Sequence, residues 1–190
     1  MEKPEKILAT ALTLFVNYGF HGTPTSRIAH EAGVSNGTLF HYFKTKDELV
    51  VALYHSIRAE LNQYLADRIS GGKTPKEKFQ NLFVGSVEWG LEHSDAFYFI
   101  QQFHFSPHLG LVPEESRQQT AIQTQVLEEA GNAHRFKPLP IALIATLSTS
   151  QMYGTYQYLM AHPLPPDARR QWLNDVFELT WTMVANPEAP

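Results

Sequence analysis

Thr25-Ser26-Arg27-Ile28-Ala29-His30-Glu31-Ala32-Gly33-Val34-Ser35-Asn36-Gly37-Thr38-Leu39-Phe40-His41-Tyr42-Phe43-Lys44-Thr45-Lys46 is the stretch on which the reading of this 190-residue chain turns. Ile28, Ala29 and Ala32 give one short segment an apolar face, and Val34, Leu39 and Phe43 give another to the segment that follows. Gly33 tolerates the tight turn between them, and Ser35 offers an N-cap where the second segment opens. A helix-turn-helix needs those parts: two apolar faces to fix a crossing angle, a permissive turn, and polar residues opening the second helix. The pattern predicts Asn36, Gly37, Thr38, His41 and Tyr42 on the outside.

Working outward, Ile7, Ala11, Leu14, Phe15 and Tyr18 recur at helical spacing until Gly19 stops the run, so a first helix precedes the motif. Thr23 is predicted to cap the next helix, with Pro24 in its first turn. Thr45 caps again before Asp47 and Glu48, and Leu49, Leu53, Ile57, Leu61 and Leu65 carry a linking helix over about 45–69. Further helices are expected over 75–92, 95–105, 113–131, 139–161 and 167–184, with loops at 106–113 and 132–138 and a proline-rich break at 162–166. No strand-like alternation competes. The expected fold is all-α, about nine helices: a helix-turn-helix domain over 1–48, then a larger helical domain over 49–190.

With 43% hydrophobic and 18% charged residues, the composition is that of a folded globular protein. No apolar run reaches the ~20 residues that span a bilayer, and the N-terminal residues lack the pattern of a signal peptide, so a cytoplasmic location with no membrane partner is the expectation. Absence of cysteine excludes disulfides and thiolate zinc sites. The net charge of -4 would disfavour a polyanionic partner, but residues 1–50 are balanced, with five basic side chains (Lys3, Lys6, Arg27, Lys44, Lys46) against five acidic ones. The excess acid lies in the rest.

The run Ile28-Ala29…Ala32-Gly33-Val34-Ser35…Gly37-Thr38-Leu39-Phe40-His41-Tyr42-Phe43-Lys44…Lys46…Leu49, with Tyr18-Gly19-Phe20 ahead of it, resembles the TetR family of one-component regulators over about the first 55 residues. The resemblance implies a homodimeric repressor that binds a double-stranded DNA operator and is released by a small apolar or aromatic effector. It places the helix from Asn36 to Tyr42 in the major groove. Carried over by position, Gly37 allows close approach to bases, Thr38, His41 and Tyr42 reach phosphates or base edges, and Lys46 meets a phosphate. Thr25, Ser26 and Arg27 are further candidates for phosphate contact. Two positions depart from the family pattern. Asn36 stands where a cation is frequent, and can pair bidentately with adenine. Phe40 stands where a tyrosine is frequent, so a hydroxyl contact is lost. Few charges imply modest non-specific affinity and a shallow salt slope.

For the second domain, the resemblance implies that the last two helices pair with a partner subunit in a four-helix bundle. Their faces carry Ile141, Ile144, Leu147, Gln151 and Tyr158, and Trp172, Val176, Leu179 and Met183, with Ser148 and Gly154 small enough for close approach. Effector-pocket candidates are Trp89, Phe97, Phe99, Phe103, Phe105, Tyr153 and Tyr156 as walls, with Gln102, His104, His108 and Gln151 as polar anchors. His104 and His108 have the spacing of a metal-binding pair, but Pro107 breaks the helix that would align them. No metal or other cofactor is expected. Nor does any phosphate loop, nucleophile elbow or carboxylate pair suggest an enzyme. The alternative class is a helical ligand-binding or enzyme-like protein whose N-terminal unit does not bind DNA.

Overall fold

The computed structural model describes residues 2–113 and 122–187. Among them are nine α-helices: α1 Lys3–Tyr18, α2 Thr25–Glu31, α3 Asn36–Tyr42, α4 Lys46–Ser70, α5 Pro75–Glu92, α6 Ser94–His104, α7 Ile122–Asn132, α8 Ile141–Ala161 and α9 Pro166–Val184. No strand occurs among the described residues, and one isolated bridge pairs Phe136 with Ala185. The expected all-α architecture is observed. The expected start of a helix at 113 falls partly outside the described residues. The stretch expected to be a loop after Ser106 instead contains a 3₁₀ turn, Pro107–Leu111, because the Ser106 hydroxyl accepts from the His108 N–H and caps it.

The chain divides into two compact units, with one break inside α4 after Ala59 and another after Glu92. The first contains α1–α3, the start of α4, α6 and the 3₁₀ turn. Sequence placed its boundary near 48 and gave it three helices, whereas α6 packs against α1 in this unit and joins its core. Ile7, Ala11, Leu14, Phe15, Ile28, Ala29 and Leu39 are buried together with Phe99, Ile100 and Phe103 of α6. Phe20 sits 5.3 Å from Phe15 and 5.6 Å from Phe99, and the Tyr54 ring stacks on Phe103 at 4.1 Å. Each large apolar side chain so buried is worth about 1.5–3 kcal/mol.

Local chemistry explains the helix ends. Gly19 and Gly33 take positive φ (70° and 66°) to close α1 and α2, a conformation that other residues adopt at a cost. Thr45 and Thr74 each cap a helix by accepting from the N–H three residues on, at 3.0 and 3.1 Å. Glu48 and Glu77 reply to backbone N–H groups at 2.7 and 2.6 Å. Thr23 corrects its expected role. Its buried hydroxyl shares one proton between the carbonyls of Leu14 (3.1 Å) and Gly19 (2.9 Å), so it ties down the end of α1, and Pro24 occupies the N-cap of α2. Tyr18 also departs from its expected place in the core, being half-exposed.

In the second unit α5 is central, burying Phe79, Leu82, Phe83, Val87 and Trp89 against α7, α8 and α9. Gln80 donates to Asn174 at 3.1 Å and Gln123 to Thr149 at 2.9 Å, fixing the register of neighbouring helices. Gly85 lets the later part of α4 approach closely: a Cβ there would lie 2.9 Å from Leu65 Cδ2.

Candidate nucleic-acid interface

α3 owes its orientation to one buried side and one cap. Leu39 within it and Phe43 just beyond face the core. The Ser35 hydroxyl accepts from the Thr38 N–H at 3.0 Å and lies 2.9 Å from the Thr38 hydroxyl. What remains outward is Asn36, Gly37, Phe40, His41 and Tyr42, with Thr38 half-buried. Phe40 and Tyr42 keep 41% and 43% of their surface exposed, so this helix presents two aromatic rings on its outer side. Neither the Asn36 carboxamide nor the Phe40 ring has a partner among the described residues. The Tyr42 ring meets His41 edge-on at 5.3 Å.

The surrounding cations are less available than the sequence suggested. Arg27 pairs with Glu31 at 2.8 Å and lies over the exposed Tyr18 ring at 4.0 Å. The hydrogen bonds to Glu31 and Tyr18 raise its pKa above the ordinary value. Lys44 donates to the His41 carbonyl at 3.3 Å. Lys46 donates to the Phe20 carbonyl, and burial lowers its pKa, so any phosphate contact must share this ammonium with the end of the α1 turn. Thr25 is half-buried and Ser26 exposed at the start of α2. Sequence reasoning missed Tyr18, whose exposed ring supports Arg27; its spacing in α1 matched the apolar stripe and gave no warning.

The effector candidates fall in both units. Trp89, Gln151, Tyr153 and Tyr156 belong to the second unit; Phe97, Phe99, Gln102, Phe103, His104 and Phe105 belong to the first. Phe99 and Phe103 are fully buried in the aromatic core described above, while Phe105 is 83% exposed and Gln151 is also exposed. His108 is engaged on both ring nitrogens, 3.3 Å from an Asp47 carboxylate oxygen and 3.2 Å from the Ser106 hydroxyl. Tyr64 Oη in the second unit and Gln102 Oε1 in the first are buried oxygens with no hydrogen-bond partner among the described residues. Among the described residues no group of three metal-ligating side chains occurs.

On α8 and α9, Ile144 is buried within the chain, and Ser148 is buried with its hydroxyl on the Ile144 carbonyl at 2.7 Å, so Ser148 belongs to the intrachain core rather than an outer face. Leu143, Tyr158 and Met160 of α8 and Leu179 of α9 are exposed, and Gly154 opens onto free space.

This geometry defines a helix-turn-helix protein with a separate helical unit. The profile of bacterial regulatory proteins of the tetR family matches residues 7–53. The repressor KstR2 of Mycobacterium tuberculosis is 28% identical over 138 residues, 70% of this chain and 68% of its own length. The fatty acid metabolism regulator protein of Bacillus subtilis is 30% identical over 73 residues, 38% of each chain. A solved protein of Shewanella sp. PV-4 assigned to the family superposes with a TM-score of 0.84 at 28% identity, covering 98% of this chain and all of that one. The likeness to TetR-family regulators is thus carried by the helix-turn-helix over residues 7–53 and extends to the whole fold, and it supports a DNA-binding transcriptional regulator.

Proposed function

We propose that this regulator acts in the cytoplasm as a homodimeric repressor, with α3 of each subunit in successive major grooves. Asn36, Gly37, Thr38, Phe40, His41 and Tyr42 meet the DNA there, while Thr25, Ser26, Arg27 and Lys46 meet phosphates. One observation carries this reading: the outward face of α3 is polar and aromatic, unpartnered at Asn36 and Phe40, and mounted on a closed apolar core.

The exposed apolar positions Leu143, Tyr158, Met160 and Leu179 support pairing of α8 and α9 with a second copy, and Gly154 would admit a helix at short range. A small apolar or aromatic effector would then bind the helical unit and change the tilt of α4. Operator affinity falls when the two α3 helices no longer match the groove repeat of about 34–36 Å. The names of two relatives support an apolar effector, one a ketosteroid regulator and the other a regulator of fatty acid metabolism.

The test is selection of duplexes from a random pool, followed by binding of Asn36→Ala, His41→Ala and Tyr42→Ala to the selected operator. Each variant should melt like the parent and bind at least fivefold more weakly, the low end of a lost base or phosphate contact. Unchanged binding by all three would refute the assignment of α3.

A further inference from the structure

The base-reading surface of α3 lacks the charged side chains that most often read G·C pairs. Its seven residues, Asn36 to Tyr42, include no arginine, lysine, aspartate or glutamate. In the major groove, guanine is read by an Arg or Lys fork on O6 and N7, and cytosine by a carboxylate on its amino group. Adenine is read by an Asn or Gln amide, and thymine by an apolar side chain on its methyl group. Nearby cations do not supply the missing guanine reader, since Arg27 is held by Glu31 and Tyr18, and Lys44 and Lys46 are held by carbonyls.

Two of the exposed side chains share one face of the helix. Asn36 and Phe40 are four residues apart, so they project from the same face of α3, one turn from each other. The Thr38 hydroxyl is committed to Ser35, and Leu39 is buried. His41 lies about 100° around the helix from Phe40 and turns its ring to Tyr42. Resting on the DNA-binding reading above, we infer that each half-site is specified by A·T pairs, with the Asn36 carboxamide on an adenine and the Phe40 ring against a thymine methyl about one helical turn along α3.

The test uses the full-length protein and changes the DNA as well as the chain. Selection from a random duplex pool should return half-sites with A·T pairs at their fixed central positions. Replacing those thymines with deoxyuridine removes only the methyl group, and should weaken binding about fourfold per half-site, the worth of one buried methylene-sized group. Phe40→Ala should bind the thymine and uracil operators equally, and Asn36→Ala should lose its preference for adenine over 7-deazaadenine. Phe40→Leu, which keeps an apolar side chain, should retain part of the methyl effect. Fixed G·C pairs at those positions, or equal loss on uracil substitution in the parent and Phe40→Ala, would overturn the inference. A pool that yields no enriched sequence would overturn the DNA-binding reading itself.

Discussion

Gly37→Ala separates what the protein needs from what DNA needs. A Cβ built at Gly37 meets nothing closer than the Ser35 hydroxyl at 3.7 Å, an ordinary van der Waals distance, and the backbone there is not left-handed. Within the folded chain the extra methyl is therefore free of clash, and replacing a helical glycine by alanine stabilises by about 0.5–1 kcal/mol. For a chain of this size that raises the melting midpoint by roughly 1–4 °C. On DNA the same methyl stands between the backbone of α3 and the base edges. Backing the helix off by a methyl radius forfeits a contact such as that of Asn36, worth about 1–3 kcal/mol, or about 5- to 150-fold in affinity. Thermal melting by circular dichroism and fluorescence anisotropy on the selected operator measure the two effects on one sample. A higher midpoint with weaker binding is the expected pair of results. An unchanged affinity would show that the α3 backbone stays clear of the bases at this position, and the groove placement would have to be abandoned.

Other perturbations test separate parts of the account. In Gly22→Ala the new Cβ would fall 2.3 Å from the Tyr18 carbonyl oxygen, so the turn must shift, at a cost of about 1–3 kcal/mol read as an earlier melt of the N-terminal unit. Tyr64→Phe removes a buried hydroxyl without a partner and should raise the midpoint at neutral pH; a fall would mean the hydroxyl is satisfied after all. Burial also raises the Tyr64 pKa, so the native chain keeps this proton when the unfolded chain releases it. The resulting stability is fully present below pH 10.0 and is lost as pH rises through the native value, a loss that Tyr64→Phe should lessen in alkaline melts. Leu179→Lys, at a position 73% exposed, should leave folding intact and shift sedimentation from dimer to monomer; a dimer that persists would move the interface elsewhere. Because Arg27, Lys44 and Lys46 are already engaged, the dependence of operator affinity on salt should be shallow. A slope corresponding to eight or more neutralised phosphates per dimer would contradict that view.

Much of this was legible in the sequence, where local physics decides. Ser35 and Thr45 are caps because the donor each satisfies lies three residues away, and Leu49 to Leu65 form a buried row because helical spacing alone puts them on one side. The face of α3 could be read for the same reason. What escaped depends on residues far apart in the chain. Thr23 sits where a cap belongs, but its hydroxyl is claimed by carbonyls of the preceding helix. Lys46 looks like a free cation until the Phe20 carbonyl is beside it. Phe99 and Phe103 have the spacing of any core helix, and nothing in that spacing says that their partners are Phe15, Phe20 and Tyr54.

That last arrangement governs when the core beneath α3 can first be completed. The helix-turn-helix leaves the ribosome early, but Phe15 and Phe20 cannot complete their packing until α6 follows, some sixty residues after Phe43. At about 5–20 residues per second the delay is on the order of 3–12 s. Closing so distant a contact also slows folding relative to a purely local three-helix unit. A nascent chain halted between α4 and α6 therefore presents α3 on a core that still lacks Phe99 and Phe103.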